Sequence, residues 1–318
     1  MTIANSMRPR HRELAHAFGT MVRALSVAVT ILISTGLQAA PEVKIATFNI
    51  ENLGKTKVSK PAILKYLATT VRKFDIVAVQ EVSDISEKAP QVFLTAINAN
   101  GGNYGLLLSE RTGTHPSDRT SQEQYAFYFD KNVVEAIGDG AIFDDKAGDL
   151  FQREPYTARF KVKGTEFGFA ITQVHTQPTN ALSEIKALYK VHQALSPNAN
   201  HIILGDFNGS CTYAKPQELA ALELRGPTFF WVVPDDADTT VSPNTHCAYD
   251  RVVLTKSLKN HFVQWGVANW FTDDKYSDHW PVWFSLKSAL QYSGVGCSSF
   301  RHPTGVTTKC VWRVSGRL

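Results

Sequence analysis

The stretch His201-Ile-Ile-Leu-Gly-Asp-Phe-Asn208 opens as an apolar run, breaks at Gly205, and ends in a carboxylate and a carboxamide two residues apart. A run this short reads as a buried strand rather than a helix. Side chains alternate along a strand, so Asp206 and Asn208 share one face while Phe207 turns toward a core. A strand running into an Asx-type turn accounts for the same two residues equally well. The rest of the chain has to decide what the pair is for.

Working outward, the same arrangement recurs. Residues 43–49 read as a buried strand ending at Asn49, and residues 75–81 as another ending in Gln80-Glu81. Between them, Ser59, Pro61 and the apolar series Ile63, Leu64, Leu67, Val71 predict a capped amphipathic helix. A second helix over 90–99 should stop at Asn100-Gly101-Gly102. Shorter strands follow at 104–108, 125–129, 157–162 and 167–174, the last two joined by a hairpin at Lys163-Gly164 and ending at His175. Asn180 is placed to cap a helix bearing Leu182, Ile185, Leu188, Tyr189, His192 and Leu195 at three- and four-residue spacing. After the opening strand come a helix over 217–224 and strands at 229–233, 249–254 and 280–286, the last preceded by Ser277-Asp278-His279. Two polar segments, 111–124 and the acidic Asp144-Asp145-Lys-Ala-Gly-Asp149, read as exposed loops.

Composition sets the outer limits. With 318 residues, 43% hydrophobic and 19% charged, the chain has material for one enzyme-sized domain. Residues 1–40 are set apart: Arg8, Arg10, Arg12 and Arg23 precede an apolar run from Ala24 to Ile33 that ends in small residues around Ala39 and Ala40. That is the layout of a secretory signal, with Met21 an alternative start, and it predicts a secreted or periplasmic protein. Without it the formal charge falls from +4 to +1, so overall basicity is no argument for nucleic acid. Residues 41–286 then carry −4 and residues 287–318 carry +5, an acidic body with a basic tail. All four cysteines, Cys211, Cys247, Cys297 and Cys310, lie in the exported part, where an even count predicts two disulfides among three arithmetical pairings.

Six strand ends thus carry Asn49, Glu81, His175, Asp206 with Asn208, Asp250, and Asp278 with His279. Polar groups gathered at one rim of core strands are how an open α/β sheet builds an active site. Carboxylates and carboxamides are hard oxygen ligands suited to magnesium, manganese or calcium. Two histidines with spare carboxylates suit general acid–base work, and no nucleophilic Ser or Cys presents itself. Together these fit attack of water on a phosphate ester.

TFNIEN (47–52), QE (80–81), REP (153–155), VH (174–175), GDFN (205–208), CAYDR (247–251) and SDHWPV (277–282) occur in the order found in the endonuclease/exonuclease/phosphatase superfamily. Over residues 43–286 the chain resembles its deoxyribonuclease I branch. The resemblance implies a four-layer α/β-sandwich, two packed mixed sheets flanked by helices, and a metal-dependent endonuclease that hydrolyses DNA with little sequence preference. It implies that Glu81 holds a catalytic magnesium (or manganese) with Asn49, Asp206 and Asp278. His175 and His279 become the acid–base pair, with Glu123 and Asp250 as their carboxylate partners. Arg153, Asn208 and Tyr213 would contact substrate. Structural calcium is implied at Asp145, Asp149 and Glu154, and at Asp238 and Thr240. The branch's active-site disulfide falls on Cys211 and Cys247, and we expect Cys297 and Cys310 to form the second.

Two residues depart from the branch: where it carries a groove-inserting arginine this chain has Ser83, and where it carries a groove-packing tyrosine, Ser121. Loss of such groups weakens duplex preference more than hydrolysis. In the tail, Tyr292, Phe300 and Trp312 interleave with basic residues, a composition fit for nucleic acid. The expected partner is therefore DNA, met by a monomer without stable membrane association. A phosphoinositide phosphatase, a sphingomyelinase, a toxin-type nuclease subunit and an inactive binding protein are the alternative readings.

Overall fold

The computed structural model describes residues 40–113, 122–196, 198–289, 292–302 and 305–314, the last two segments by backbone alone. The expected signal segment and Ser121 lie outside the described residues. From the N-terminus, β1 (Glu42–Asn49) leads through a one-turn α1 (Lys55–Val58) to α2 (Pro61–Val71), β2 (Ile76–Val82), α3 (Ala89–Asn98), β3 (Tyr104–Leu108) and β4 (Gln124–Asp130). Then come β5 (Val134–Ala136), β6 (Ala141–Ile142), β7 (Tyr156–Val162), β8 (Gly168–His175), α4 (Ala181–Gln193) and β9 (His201–Asp206). The body closes with α5 (Pro216–Ala220), β10 (Phe229–Trp231), β11 (Asp250–Thr255), α6 (Lys256–Lys259), β12 (Phe262–Val267) and β13 (Val282–Lys287).

These strands form two mixed sheets, β12-β13-β1-β2-β4-β3 and β10-β11-β9-β8-β7-β5, with β6 paired to β7. β1 runs parallel to β2, and β8 parallel to β9. Alternation along each strand builds the layers. Val43, Ile45, Ile202 and Leu204 join Phe127, Phe160 and Phe284 in the core between the sheets. Their neighbours Ala46 and Phe48 pack outward with Leu67 and Val71 of α2 and Phe93 and Ile97 of α3. Ile203 and Phe207 pack outward with Ile185, Leu188 and Val191 of α4. The result is the expected four-layer sandwich. Among the described residues no helix is long and apolar enough to cross a membrane.

Local expectations fail where a side chain finds a different partner. Ser59 does not cap α2: its hydroxyl donates to Thr56 O at 2.9 Å, closing α1, and the cap residue is Lys60 with Pro61 in the first turn. Asn180 makes no side-chain cap on α4 and instead ends a 3₁₀ turn, Pro178–Asn180. The helix expected over 217–224 splits into α5 and a 3₁₀ turn at Glu223–Arg225. β5, β6 and β12 escape the sequence pattern because two are very short and the third is interrupted by a bulge. The tail forms a hairpin, β14 (Tyr292–His302) and β15 (Gly305–Val314), whose register sets the backbone of Cys297 opposite Cys310. Cross-strand spacing of that kind is compatible with the expected disulfide.

The opening stretch behaves in both of the ways its sequence allowed. β9 is buried throughout and ends at Asp206; Phe207 is fully buried, edge-on to Trp231. Beyond the strand, the Asn208 N–H donates to Asp206 Oδ1 at 2.9 Å, an Asx turn, with Asn208 left-handed at φ 45°. Gly205 sits at φ 142°, and a Cβ there would lie 1.9 Å from the carbonyl oxygen of Val174 on β8. Gly205→Ala is therefore expected to cost about 3 kcal/mol or more, read as a drop in the urea midpoint. A wild-type midpoint would mean that the two strands can spread.

His201 opens the same strand fully buried, bonded through Nε2 to Thr172 Oγ1 at 2.7 Å and through Nδ1 to His192 Nδ1 at 3.1 Å. Burial, with a smaller contribution from His192, pushes its pKa down to about 3. The unfolded chain takes up this proton near the ordinary value of 6.5 and the folded chain does not. Stability from this residue is thus present above pH 6.5 and lost as pH falls toward 3, on the order of 1 kcal/mol per pH unit. Unfolding titrations of wild type and His201→Asn should show a shallower acid slope in the variant; parallel slopes would contradict this.

Candidate active site

The strand ends converge at one rim, and Asp206 is at the middle of it. Its carboxylate, 2% exposed, accepts from Asn49 Nδ2 at 3.1 Å through Oδ2 and from the Asn208 N–H through Oδ1. His175 Nε2 lies 3.6 Å from Oδ2 and His279 Nε2 3.7 Å from the same oxygen. Each imidazole turns its far nitrogen to a carboxylate: His175 Nδ1 to Glu123 Oε2 at 2.9 Å, His279 Nδ1 to Asp250 Oδ2 at 2.7 Å. Both expected pairs are thus formed, and they share one carboxylate.

Electrostatics follows from this crowding. Burial alone would raise the Asp206 pKa, but His279 and His175, with the Asn208 N–H and Asn49, hold it below the usual carboxylate value. Burial likewise opposes ionised Glu123, yet His175, Arg153 and Arg111 bring it to about 2. On the imidazoles burial disfavours the charge, whereas Glu123 raises His175, and Asp250 with Asp206 raises His279 well above the ordinary value. Both rings are held ready to carry a proton near neutrality.

Asn49 Nδ2 also donates to Glu81 Oε1 at 2.9 Å, bringing Asn49, Glu81 and Asp206 together; its own oxygen is taken by the Glu51 N–H at 3.0 Å. Asn49 therefore supports the two carboxylates as a donor, and its oxygen faces the Glu51 N–H beside them. Glu81 stands at φ 61° where the β2–β4 register shifts, so the irregularity aims its side chain at the rim. Asp278 is exposed at the edge of the site, within electrostatic reach of Glu51, Lys57 and His279. Among the described residues no three His, Cys, Asp or Glu side chains form a metal-binding cluster. Glu81 and Asp206, drawn together only by one amide, nevertheless fit a divalent cation as hard oxygen donors, with Asp278 beside them.

The substrate-side residues are placed differently from one another. Arg153 is nearly buried: Nε donates to His175 O at 3.1 Å and Nη2 to Thr176 O at 3.3 Å, and Nη1 lies 3.5 Å from Glu123. Asn208 Nδ2 donates to the same Thr176 O at 2.9 Å. Tyr213 is exposed, its ring 5.5 Å from Tyr249, which in turn lies 6.2 Å from His279. Tyr249 stood within the CAYDR motif without a role assigned to it. Ser277 was also missed: its hydroxyl donates to Asn49 O at 2.7 Å and accepts the His279 N–H at 3.1 Å. Only its position beside Asp278-His279 signalled it. Lys57, whose ammonium donates to Ile50 O and Tyr276 O, had no signal beyond its charge.

In both loops expected to hold calcium a carboxylate accepts from protein donors. Asp145 Oδ2 accepts the N–H groups of Leu150 and Phe151, and Glu154 takes the Thr112 hydroxyl. Burial, then Asp145 and Asp149, raises the Glu154 pKa, so the three acids do lie near one another. In the second loop, Asp238 Oδ1 takes the Thr240 N–H and hydroxyl, and Oδ2 pairs with His246 Nδ1 at 2.7 Å. Its oxygens, like Oδ2 of Asp145, are bonded to protein donors.

A disulfide joins Cys211 to Cys247, with Cα atoms 5.8 Å apart. It links the turn after Asn208 to the segment that leads into Asp250. Asp250 spends its carboxylate on His279 rather than on its neighbour Arg251, which is fully buried and bonds Val233 O, Pro234 O, Gly209 O and Asp235.

The family model described as the Endonuclease/Exonuclease/phosphatase family matches residues 46–279. The chain is 34% identical to deoxyribonuclease-1 of Homo sapiens, over 79% of this chain and 94% of the relative. It is 35% identical to deoxyribonuclease-1 of Bos taurus, over 84% and 99% respectively. Among solved structures, an endonuclease/exonuclease/phosphatase family protein from Bacteroides thetaiotaomicron superposes with a TM-score of 0.58 at 17% identity, covering 79% of this chain and all of that one. That likeness concerns the fold.

The disulfide generates a prediction. Its reduction should raise hydrogen-exchange rates at the amides of 207–214 and 244–250 at least about tenfold while β8 and β9 remain protected. A uniform loss of protection would show instead that the bond holds the whole body.

Proposed function

The chain belongs to the Endonuclease/Exonuclease/phosphatase family and is a phosphodiester hydrolase, and on that premise we propose that it is an exported, divalent-metal-dependent endonuclease acting on DNA. The observation that carries the reading is the pair of carboxylate-backed imidazoles flanking Asp206, with Glu81 alongside. Glu123 and Asp250 fix the tautomers, so each Nε2 is free to exchange a proton at the rim. One imidazole takes a proton from the attacking water and the other delivers one to the departing 3′ oxygen, leaving a 5′-phosphate. Asp206, anionic between them, supports whichever ring is charged.

A magnesium or manganese ion at Glu81 and Asp206, with Asp278 nearby, would supply positive charge opposite the scissile phosphate. Arg153 and Asn208 orient that phosphate, and the exposed Tyr213 offers a ring to a base or sugar. Residues Asp145, Asp149 and Glu154, and Asp238 with Thr240, remain the candidate calcium sites. Export is supported by the Cys211–Cys247 bond, which persists in an oxidising compartment, and by the signal-like first forty residues. Ser83, in place of a groove-inserting arginine, favours a broad rather than strictly duplex preference.

The mature protein should be incubated with duplex DNA, single-stranded DNA, RNA, a phosphoinositide and sphingomyelin, each with magnesium or chelator. DNA cleavage with magnesium and none with chelator is expected; faster turnover of either lipid would replace this reading. His175→Ala, His279→Ala and Asp250→Asn should each lower DNA cleavage by about 10³-fold or more with unchanged circular dichroism. Near-normal turnover in either histidine variant would remove that residue from the mechanism.

A further inference from the structure

Glu184 is a buried carboxylate to which the proposed reaction gives no task. It occupies the first turn of α4, where an acid ordinarily sits exposed and favours the helix dipole. Here it is 2% exposed and reaches away from its own helix. Oε1 accepts the N–H of Gln152 at 3.1 Å and Oε2 the N–H of Gln177 at 3.2 Å.

Those two amides belong to the segments that carry the substrate-side groups. Gln152 precedes Arg153, and Gln177 follows His175 and Thr176. Arg153 itself crosses from one segment to the other, donating to His175 O and Thr176 O, and Asn208 bonds the same Thr176 O. The side chain of Arg153 and the carboxylate of Glu184 are therefore two separate ties between the same two stretches of chain.

The chemistry of the second tie is specific. Two N–H groups aimed at one side chain require two acceptors and no donor, which an ionised carboxylate alone supplies; a carboxamide or a protonated acid turns a donor against one of them. Holding the charge there is costly. Burial pushes the Glu184 pKa up to about 7 despite the two amides and despite Arg153 and His175, the cations that face it; Tyr125 is the other ionisable group in reach. A buried carboxylate in so unfavourable a state is more readily explained by what it positions than by what it adds to stability.

We propose that Glu184 is a positioning residue for the substrate phosphate, clamping the Arg153 segment to the His175–Gln177 segment so that Arg153 and Asn208 address the same phosphate. The proposal rests on the phosphodiester-cleavage reading above. Acting through Arg153, it belongs to substrate binding and not to proton transfer.

The test is a double-mutant cycle on the full chain: wild type, Glu184→Gln, Arg153→Ala and the double variant, assayed on duplex DNA and by thermal melting. Glu184→Gln should raise KM about tenfold with kcat within about twofold, and in the Arg153→Ala background it should change KM by less than about twofold. Glu184→Asp keeps the charge but cannot span both amides; it should give the same KM effect and carries the test if the Gln variant melts early. An unchanged KM, a loss confined to kcat, or the same tenfold loss with and without Arg153 would overturn the proposal. A wild type that cleaves no DNA would overturn the nuclease reading itself, a result separate from any of these.

Discussion

The site depends on one buried carboxylate being shared. Asp206 lies at the end of a central strand of one sheet and bonds Asn49, at the end of a central strand of the other, while two imidazoles close on the same carboxylate oxygen. An ion buried this deeply is tolerated only where its charge is met on several sides. Two imidazoles, one backbone N–H and one amide meet it here. Remove that arrangement and the two histidine dyads would have no common point on which to act.

The scaffold beneath is polar by design of the chain as well as apolar. Thr47 donates to Gln80, Gln80 to Gln173, and Gln173 to the carbonyl of Ala126, a buried run of hydrogen bonds that crosses from sheet to sheet. Apolar packing between sheets is tolerant of small slips, whereas amide-to-amide bonds are not. The run therefore fixes the offset between β2 and β8, the strands that present Glu81 and His175. Arg251 does similar work on the opposite flank, bonding Gly209 just past Asn208 and the turn at Val233 and Pro234.

The residues proposed to contact substrate are built on less regular chain. Arg153, Asn208 and Tyr213 all leave from loops, held by the Glu184 bridge, the Asx turn at Asp206 and the Cys211–Cys247 bond respectively. The proton-handling groups sit on or beside rigid strands instead. Under the proposed reading, such a division lets loop residues vary, as at Ser83, while the histidine and carboxylate set stays in place.

From the residue pattern came the buried strands at 43–49 and 201–206, the apolar face of the helix over 182–191 and the polar groups that end the strands, while the sandwich of two sheets came from the family resemblance. The same resemblance, rather than any pattern of spacing, pointed to Glu123 and Asp250 as the histidine partners. The sequence was silent on Lys57 and Glu184, marked Ser277 only by its neighbours, and misled at Ser59 and Asn180. The physical reason is common to these. A hydroxyl, an amide or a carboxylate has the same identity whether it faces solvent, caps a helix, grips a metal or bridges two loops. Which of these it does depends on partners that arrive from 3 to 228 residues away, and only the folded chain brings them there.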